Sequence, residues 1–166
     1  MRVQDICTRQ VQSCVPGTNL AEAAKILWEC DCGIVPVIDD QRKLVGVITD
    51  RDICMAVATR HKLASELRVG EVMSRDVRFC QPEDEVLDAL HTMREAQIRR
   101  LPVVDGHRTL VGILSVSDAV LASRAAKGKS AAALTQEIML TLMAIHEHRP
   151  ENPIPPAEPG AVVLHR

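Results

Sequence analysis

Aromatic side chains are almost missing from this chain: Trp28 and Phe79 are the only two in 166 residues, and there is no tyrosine. Proteins that read single-stranded nucleic acid stack its bases on aromatic rings, so a nucleic-acid partner is not expected. An excess of charge is missing too. Twenty Lys+Arg face 22 Asp+Glu, for a formal net charge of −2, which implies no surface for a polyanion. No apolar run approaches the roughly 18 residues of a membrane span. The opening Met1-Arg2-Val3-Gln4-Asp5 lacks the apolar stretch of a signal peptide. The expected setting is the cytosol, with no membrane partner. The six cysteines, at 7, 14, 30, 32, 54 and 80, are not spread as a disulfide framework would be, because five fall within the first 54 residues. In a reducing compartment they read most simply as small buried hydrophobes.

What is present is repetition, the feature to look for before any other. A shift of 66 residues aligns positions 3–54 with 69–120 without a gap, and 15 of the 52 pairs are identical. Among them are Val11/Val77, Pro16/Pro82, Pro36/Pro102, Asp39/Asp105, Leu44/Leu110, Gly46/Gly112 and Asp52/Asp118. Each copy reads as strand, helix, strand, strand, helix. In the first, a strand near Val11–Val15 leads to Thr18 or Asn19, either of which caps a helix carrying Leu20, Ala23, Ala24 and Leu27 at helical spacing. That helix is expected to end near Cys32-Gly33, with Gly33 as a left-handed cap. Ile34–Ile38 and Leu44–Ile48 follow as short strands around an Asp39-Asp40 turn, and a second helix begins near Asp50. The second copy places its strands at Val77–Cys80, Leu101–Val104 and Leu110–Leu114, and its helices over Val86–Ala96 and from Val116.

A unit of roughly 55 residues is marginal on its own, and a small sheet with helices on one side leaves its other face bare. The expected fold class is therefore α+β: two β-α-β-β-α repeats packed sheet to sheet about a pseudo-two-fold axis, plus a C-terminal helix, with two related clefts between the repeats. The expected divisions are a first repeat over 1–62, a second over 63–126, a helix over 127–148 and a disordered, Pro-rich tail over 149–166. In the helix, Lys127-Gly128-Lys129 reads as a hinge, Ser130 as the cap, and Leu134, Ile138, Leu142 and Ile145 as an apolar stripe widened by Met139 and Met143.

The chemistry concentrates where the last strand of each repeat meets its last helix. Thr49 is followed three residues later by Asp52, and Ser115 by Asp118. A carboxylate there can accept hydrogen bonds from the vicinal diol of a ribose, with the hydroxyl beside it as a further contact. The same spacing is also a helix capping box. The surrounding pattern, Val35-Pro36-Val37 with Leu44-Val45-Gly46-Val47-Ile48-Thr49-Asp50-Arg51-Asp52, resembles a cystathionine-β-synthase-type (CBS) domain. Leu101-Pro102-Val103-Val104 with Leu110–Asp118 resembles a second. Together they are similar to a Bateman module over about residues 1–124.

That resemblance implies a small stand-alone, bacterial-type regulator, binding AMP, ADP, ATP or a related adenosyl compound, with no other cofactor. It assigns ribose to Thr49, Asp52, Ser115 and Asp118. Phosphate would fall to Arg51, Arg99 and Arg100; the plain alternative for the Arg99-Arg100 pair is a cationic helix C-terminus. The base would lie against Val11, Cys14, Val35 and Pro36 on one side, and Val77, Cys80, Leu101 and Pro102 on the other, residues that equally suit a core. The first repeat has Gly33-Ile34 where the second has Arg99-Arg100, so the clefts are expected to differ, without the sequence deciding which is the more basic. A homodimer signalling to an unidentified effector protein is the expected assembly.

Three other readings remain. A ligand-free adaptor could dimerise and present the C-terminal helix. A metal or redox sensor has little to build on, since Cys30 and Cys32 are too close for a typical zinc half-site and His146 and His148 point to different helix faces. No nucleophile–base or paired-carboxylate constellation can be assembled from positions the repeat brings together, so an enzyme is not expected.

Overall fold

The computed structural model of the chain describes residues 1–125 and 128–147. The expected tail over 149–166, His148 and Lys127 of the expected hinge lie outside these residues. Among those described, the order is α1 (Leu20–Glu29), β1 (Val35–Ile38), β2 (Leu44–Ile48), α2 (Asp50–Arg60), α3 (Val86–Ala96), β3 (Arg100–Val104), β4 (Leu110–Ser115), α4 (Val116–Ser123) and α5 (Gly128–His146). The α+β architecture is the expected one, with its C-terminal helix in place. No helix among these residues is long and apolar enough to cross a membrane.

Each repeat forms an antiparallel hairpin, β1 with β2 and β3 with β4, in matching registers: Pro36 faces Val47, and Pro102 faces Ile113. The expected first strands shrink to single parallel bridges, Cys14 with Val37 and Cys80 with Val103. Each sheet therefore has two strands, with a single bridge where the third strand was expected. The pseudo-two-fold axis is visible in reciprocal hydrogen bonds at the hairpin tips. The Leu44 N–H donates to the Arg108 carbonyl (3.0 Å), and the Leu110 N–H donates to the Arg42 carbonyl (3.2 Å). Both pairs exchange under the 66-residue shift.

The two hydrophobic cores do not follow chain order. Val3 belongs to the core of the second repeat, with Val86, Leu90, Met93, Leu101 and Leu114. Leu67, Val69 and Met73 belong to the core of the first, with Leu20, Val35, Val37 and Ile48. The segment before each repeat is thus lent to the other. Main-chain bonds hold it there: Val3 N–H to the Asp84 carbonyl (2.9 Å) in one case, Val69 N–H to the Thr18 carbonyl (2.9 Å) in its counterpart. The lent segments then run along the hairpins, where Thr8 exchanges two hydrogen bonds with Ile113 and Ser74 exchanges two with Val47.

Helix α1 starts with the expected chemistry, Asn19 Oδ1 accepting from the Glu22 N–H (2.9 Å). Its end departs from expectation. The left-handed residue after α1 is Asp31 (φ 45), matched in the second repeat by Gln97 (φ 50), and Gly33 is not the cap. Gly33 is small for a tertiary reason, since Arg100 of the second repeat lies against it. Helix α5 begins at Gly128 rather than being capped by Ser130.

Helix α5 packs in its own chain on α3 and α4. Leu134 and Ile138 enter the second core, with Leu142 and Ile145 against it. Thr141, fully buried, donates to the Leu90 carbonyl (3.2 Å), and Arg94 lies 2.7 Å from Glu137. Met139 and Met143, expected to widen the buried stripe, sit one step round the helix and are exposed. Neither aromatic is in a core: Trp28 is 86% exposed on α1.

The crossing of lent segment over hairpin explains Gly112. A Cβ there would come within 2.8 Å of the Thr8 carbonyl oxygen, a main-chain atom that cannot step aside. Gly106, at the hairpin tip, has nothing within 4 Å. Gly112→Ala should therefore cost about 1–3 kcal/mol, a Tm loss of several degrees, while Gly106→Ala stays near the wild-type value. Equal melting curves for the two variants would remove the crossing as a constraint.

Candidate functional site

The two strand–helix joints are built identically. Thr49 (φ −121, ψ 166) and Ser115 (φ −121, ψ 160) leave their strands in extended conformation and cap α2 and α4. Asp52 Oδ2 accepts from the Thr49 N–H (2.9 Å) and from its hydroxyl (2.7 Å), while Thr49 Oγ1 accepts from the Asp52 N–H (3.3 Å). At the second joint the three distances are 2.7, 2.6 and 3.2 Å. The capping box is therefore fully formed, and it uses only half of each carboxylate. Oδ2 is saturated by two donors. Oδ1 has no hydrogen bond within the described residues, and the hydroxyl, its only proton spent on Oδ2, keeps one acceptor lone pair. Both groups left for a ligand are acceptors, which suits a partner offering two adjacent donors.

At the first joint these acceptors open into a cleft of about 1210 Å³. The first repeat supplies Thr49, Asp50, Arg51 and Asp52, and the second supplies Asp76, Val77, Arg78, Ile98, Arg99, Arg100 and Pro102. The end of α5 adds Ile145 and His146. The three arginines expected to hold phosphate, Arg51, Arg99 and Arg100, all line this one cleft. With Arg78 there are four arginines against three aspartates, so the cleft is net cationic, and one of those aspartates is half used as a cap.

The glycine at 33 is part of this arrangement. A Cβ there would lie 3.0 Å from Arg100 Nη1 and 3.3 Å from its Cζ. The guanidinium of the second repeat thus rests on the bare backbone of the first, across the pseudo-axis. By the 66-residue shift, the positions equivalent to Arg51, Arg78, Arg99 and Arg100 are Ser117, Gln12, Gly33 and Ile34. Ser115 and Asp118 stand at the joint whose matching positions lack every one of these cations.

Of the side chains expected around a base, Val77 and Pro102 line the cleft. Cys14, Val35, Cys80 and Leu101 are buried in the two cores. Pro36 is buried and Val11 half-buried, neither of them lining this cleft. Burial pushes the Cys14 thiol up to about 11 and the Cys80 thiol to about 12, so neither is a useful thiolate near neutrality. Sequence reading missed Asp76, Arg78, Ile98, Ile145 and His146. Arg78 was within reach as the neighbour of Val77; the α5 residues have no counterpart in the repeat and carried no signal.

These placements order the thiols. Cys30 and Cys54 are exposed and should react with Ellman's reagent within minutes at pH 8. Cys7 and Cys32, whose thiols are raised by partial burial, should lag, and Cys14 and Cys80 should react only on unfolding. Early labelling of Cys80, read by peptide mass mapping, would contradict the core assignment.

Comparison with known proteins agrees with this geometry. The CBS domain family model matches the chain twice, over residues 3–59 and 69–125. The CBS domain-containing protein YhcV of Bacillus subtilis is 36% identical over 116 residues, 70% of this chain and 81% of that one. The CBS domain pair of protein MJ0100, solved in complex with 5′-methylthioadenosine and S-adenosyl-L-methionine, superposes with a TM-score of 0.69 at 31% identity, covering 76% of this chain and 98% of that one. CBSX2, solved in complex with AMP, gives 0.66 at 32% identity over 75% and 96% of the two chains. Two matched repeats, each with its hairpin, its capped joint and its half-turn relation to the other, make the chain a member of the CBS domain family, carrying a tandem pair.

Proposed function

We propose that the chain is a regulatory sensor of adenine nucleotides, and that it holds its ligand in the Asp52 cleft rather than at the Asp118 joint. The observation that carries this reading is the pairing of two outward acceptors, Asp52 Oδ1 and Thr49 Oγ1, with four arginines in one cleft. A vicinal diol supplies the two donors, and one or more phosphates neutralise the cations. Relatives solved with AMP and with adenosyl compounds supply the base; Val77, Ile98 and Pro102 are the apolar surface it would meet here.

The role is regulatory and non-catalytic. Ligand in this cleft touches both repeats at once and favours the relative arrangement in which both can reach it. The message goes to an effector protein through a second surface. The homodimer expected from the sequence belongs to this reading. Helix α5 covers α3 and α4, whereas among the described residues no α-helix covers α1 and α2 in this way, and Trp28 is exposed beside a hollow lined by Ala24, Leu27 and Ile53. A second copy seated on this face should appear as a dimer in sedimentation velocity that Trp28→Glu converts to monomer. A wild-type monomer at tens of micromolar would remove this part.

A hydrogen bond to a charged group contributes about 1.5–3 kcal/mol. Asp52→Asn, which turns half of the carboxylate into a donor, should weaken AMP binding about 10-fold or more by calorimetry, and Asp118→Asn should do far less. Replacing Arg99 and Arg100 by alanine should hurt AMP and ATP much more than adenosine. Gly33→Ala, which displaces only the flexible Arg100 guanidinium, should give the same selective loss in weaker form. Equal affinity in wild type and Asp52→Asn would sink the ribose assignment and leave the ligand-free adaptor.

A further inference from the structure

The wall of the cleft that belongs to neither repeat is the last turn of α5. This helix lies beyond both spans matched by the family model, which end at residues 59 and 125, yet Ile145 and His146 line the same cleft as Asp52, Arg99 and Arg100. Its position there is held from several sides. Gln97, the left-handed residue that ends α3, donates from Nε2 to the Ala144 carbonyl (2.8 Å). Upstream, Thr141 and the Arg94–Glu137 pair tie the helix to α3. One residue separates Gln97 from Arg99 and two from Arg100, so one short stretch of chain clamps the end of α5 and also presents the arginines.

The orientation of the imidazole is constrained too. His146 Nδ1 lies 2.7 Å from the Leu142 carbonyl. A carbonyl only accepts, so Nδ1 carries the proton and donates. Nε2 is the ring nitrogen left for a ligand. It can accept from a ribose or amine donor, or donate to a phosphate when the ring is charged. Ile145, half-buried beside it, gives the same turn an apolar surface.

We propose that α5 is part of the ligand site. Ile145 and His146 contact the bound adenylate, and the occupied cleft holds the end of α5 against α3. The helix is then the element that reports occupancy: bound ligand stabilises its docking, and by reciprocity anything that draws α5 away weakens the ligand. This inference rests on the nucleotide reading of the Asp52 cleft and adds to it a third contacting element, absent from the repeats.

The test uses the full chain with AMP, ATP and adenosine as probes, and two readouts. Calorimetry on His146→Ala should show AMP binding weakened about 10-fold, the loss of one charge-assisted bond, with Tm unchanged because the side chain is exposed. Hydrogen exchange on the wild-type chain should show amides of 140–147 slowed at least about 5-fold by saturating AMP, the lower end of ordinary coupling between sites. This second readout needs no variant to fold. If Asp52→Asn weakens AMP while His146→Ala titrates as wild type and exchange in 140–147 is unmoved, the α5 inference is overturned and the nucleotide reading stands. If the wild-type chain binds none of the three probes, both fall together.

Discussion

Everything in this molecule depends on an exchange: neither repeat can complete its core from its own contiguous sequence. Val3 fills the core of the second repeat, and Leu67, Val69 and Met73 fill that of the first. For a unit of under 60 residues this matters, because so short a chain buries too little surface to be more than marginally stable alone. The exchange joins two marginal units into one of twice the size. It also sets their orientation. The lent segments cross the hairpins at Gly46 and Gly112, with Ser74 and Thr8 bonded to Val47 and Ile113, and the hairpin tips bond reciprocally between Arg42–Leu44 and Arg108–Leu110. A cleft whose two walls come from different repeats is useful only if the walls hold their relative position. Here that position is a by-product of how the cores are closed.

The capped joints show how a residue pair can fill a structural role and still leave acceptors free for a binding one. A carboxylate has two oxygens, and the cap needs one. Oδ2 of Asp52 takes both the Thr49 N–H and its hydroxyl, which positions Oδ1 and uses up the hydroxyl proton. The cap thus defines the polarity of what remains, which is acceptors only. Capping box and ribose site, posed from the sequence as alternatives, do not exclude one another: the cap leaves Asp52 Oδ1 and one lone pair of Thr49 Oγ1 unused among the described residues.

How much of this was legible in the sequence depended on whether the cause was local. Helix α3 runs over Val86–Ala96 as expected, since Val86, Ala89, Leu90 and Met93 at helical spacing dictate both its extent and its buried face. The hairpins follow from short β-rich runs around Asp39 and Asp105. Errors arose where a local signal had a distant cause. Gly33 looked like a helix cap because glycine usually serves there, but Asp31 adopts the left-handed turn and Gly33 makes room for Arg100 of the other repeat. Cys14 and Cys80, matched in the repeat, looked equally suited to cleft and core, and burial puts them in the cores. The exchanged segments were invisible, because nothing in Val3 or Val69 says which of two similar cores it will enter. The joints were fully legible, and the wall contributed by α5 was not.

The asymmetry of the two joints follows from the same logic. Duplication gives both repeats Asp and a hydroxyl at the joint, so ribose recognition alone would make the two sides equal. Charge breaks the equality, and it does so from both directions. Arg51 enters from the first repeat, and Arg78, Arg99 and Arg100 enter from the second, because each wall of the cleft belongs to a different copy. A pair of repeats can therefore concentrate its cations on one side only if the substitutions in the two copies are opposite: Ser117 in place of Arg51 in one, and Gln12, Gly33 and Ile34 in place of Arg78, Arg99 and Arg100 in the other. Arg100 adds a steric condition to the electrostatic one. Its guanidinium lies within contact distance of a Cβ at position 33, so an arginine there would bring a second cation against Arg100. Glycine at 33, where the second repeat has Arg99, leaves room for the Arg100 guanidinium across the axis.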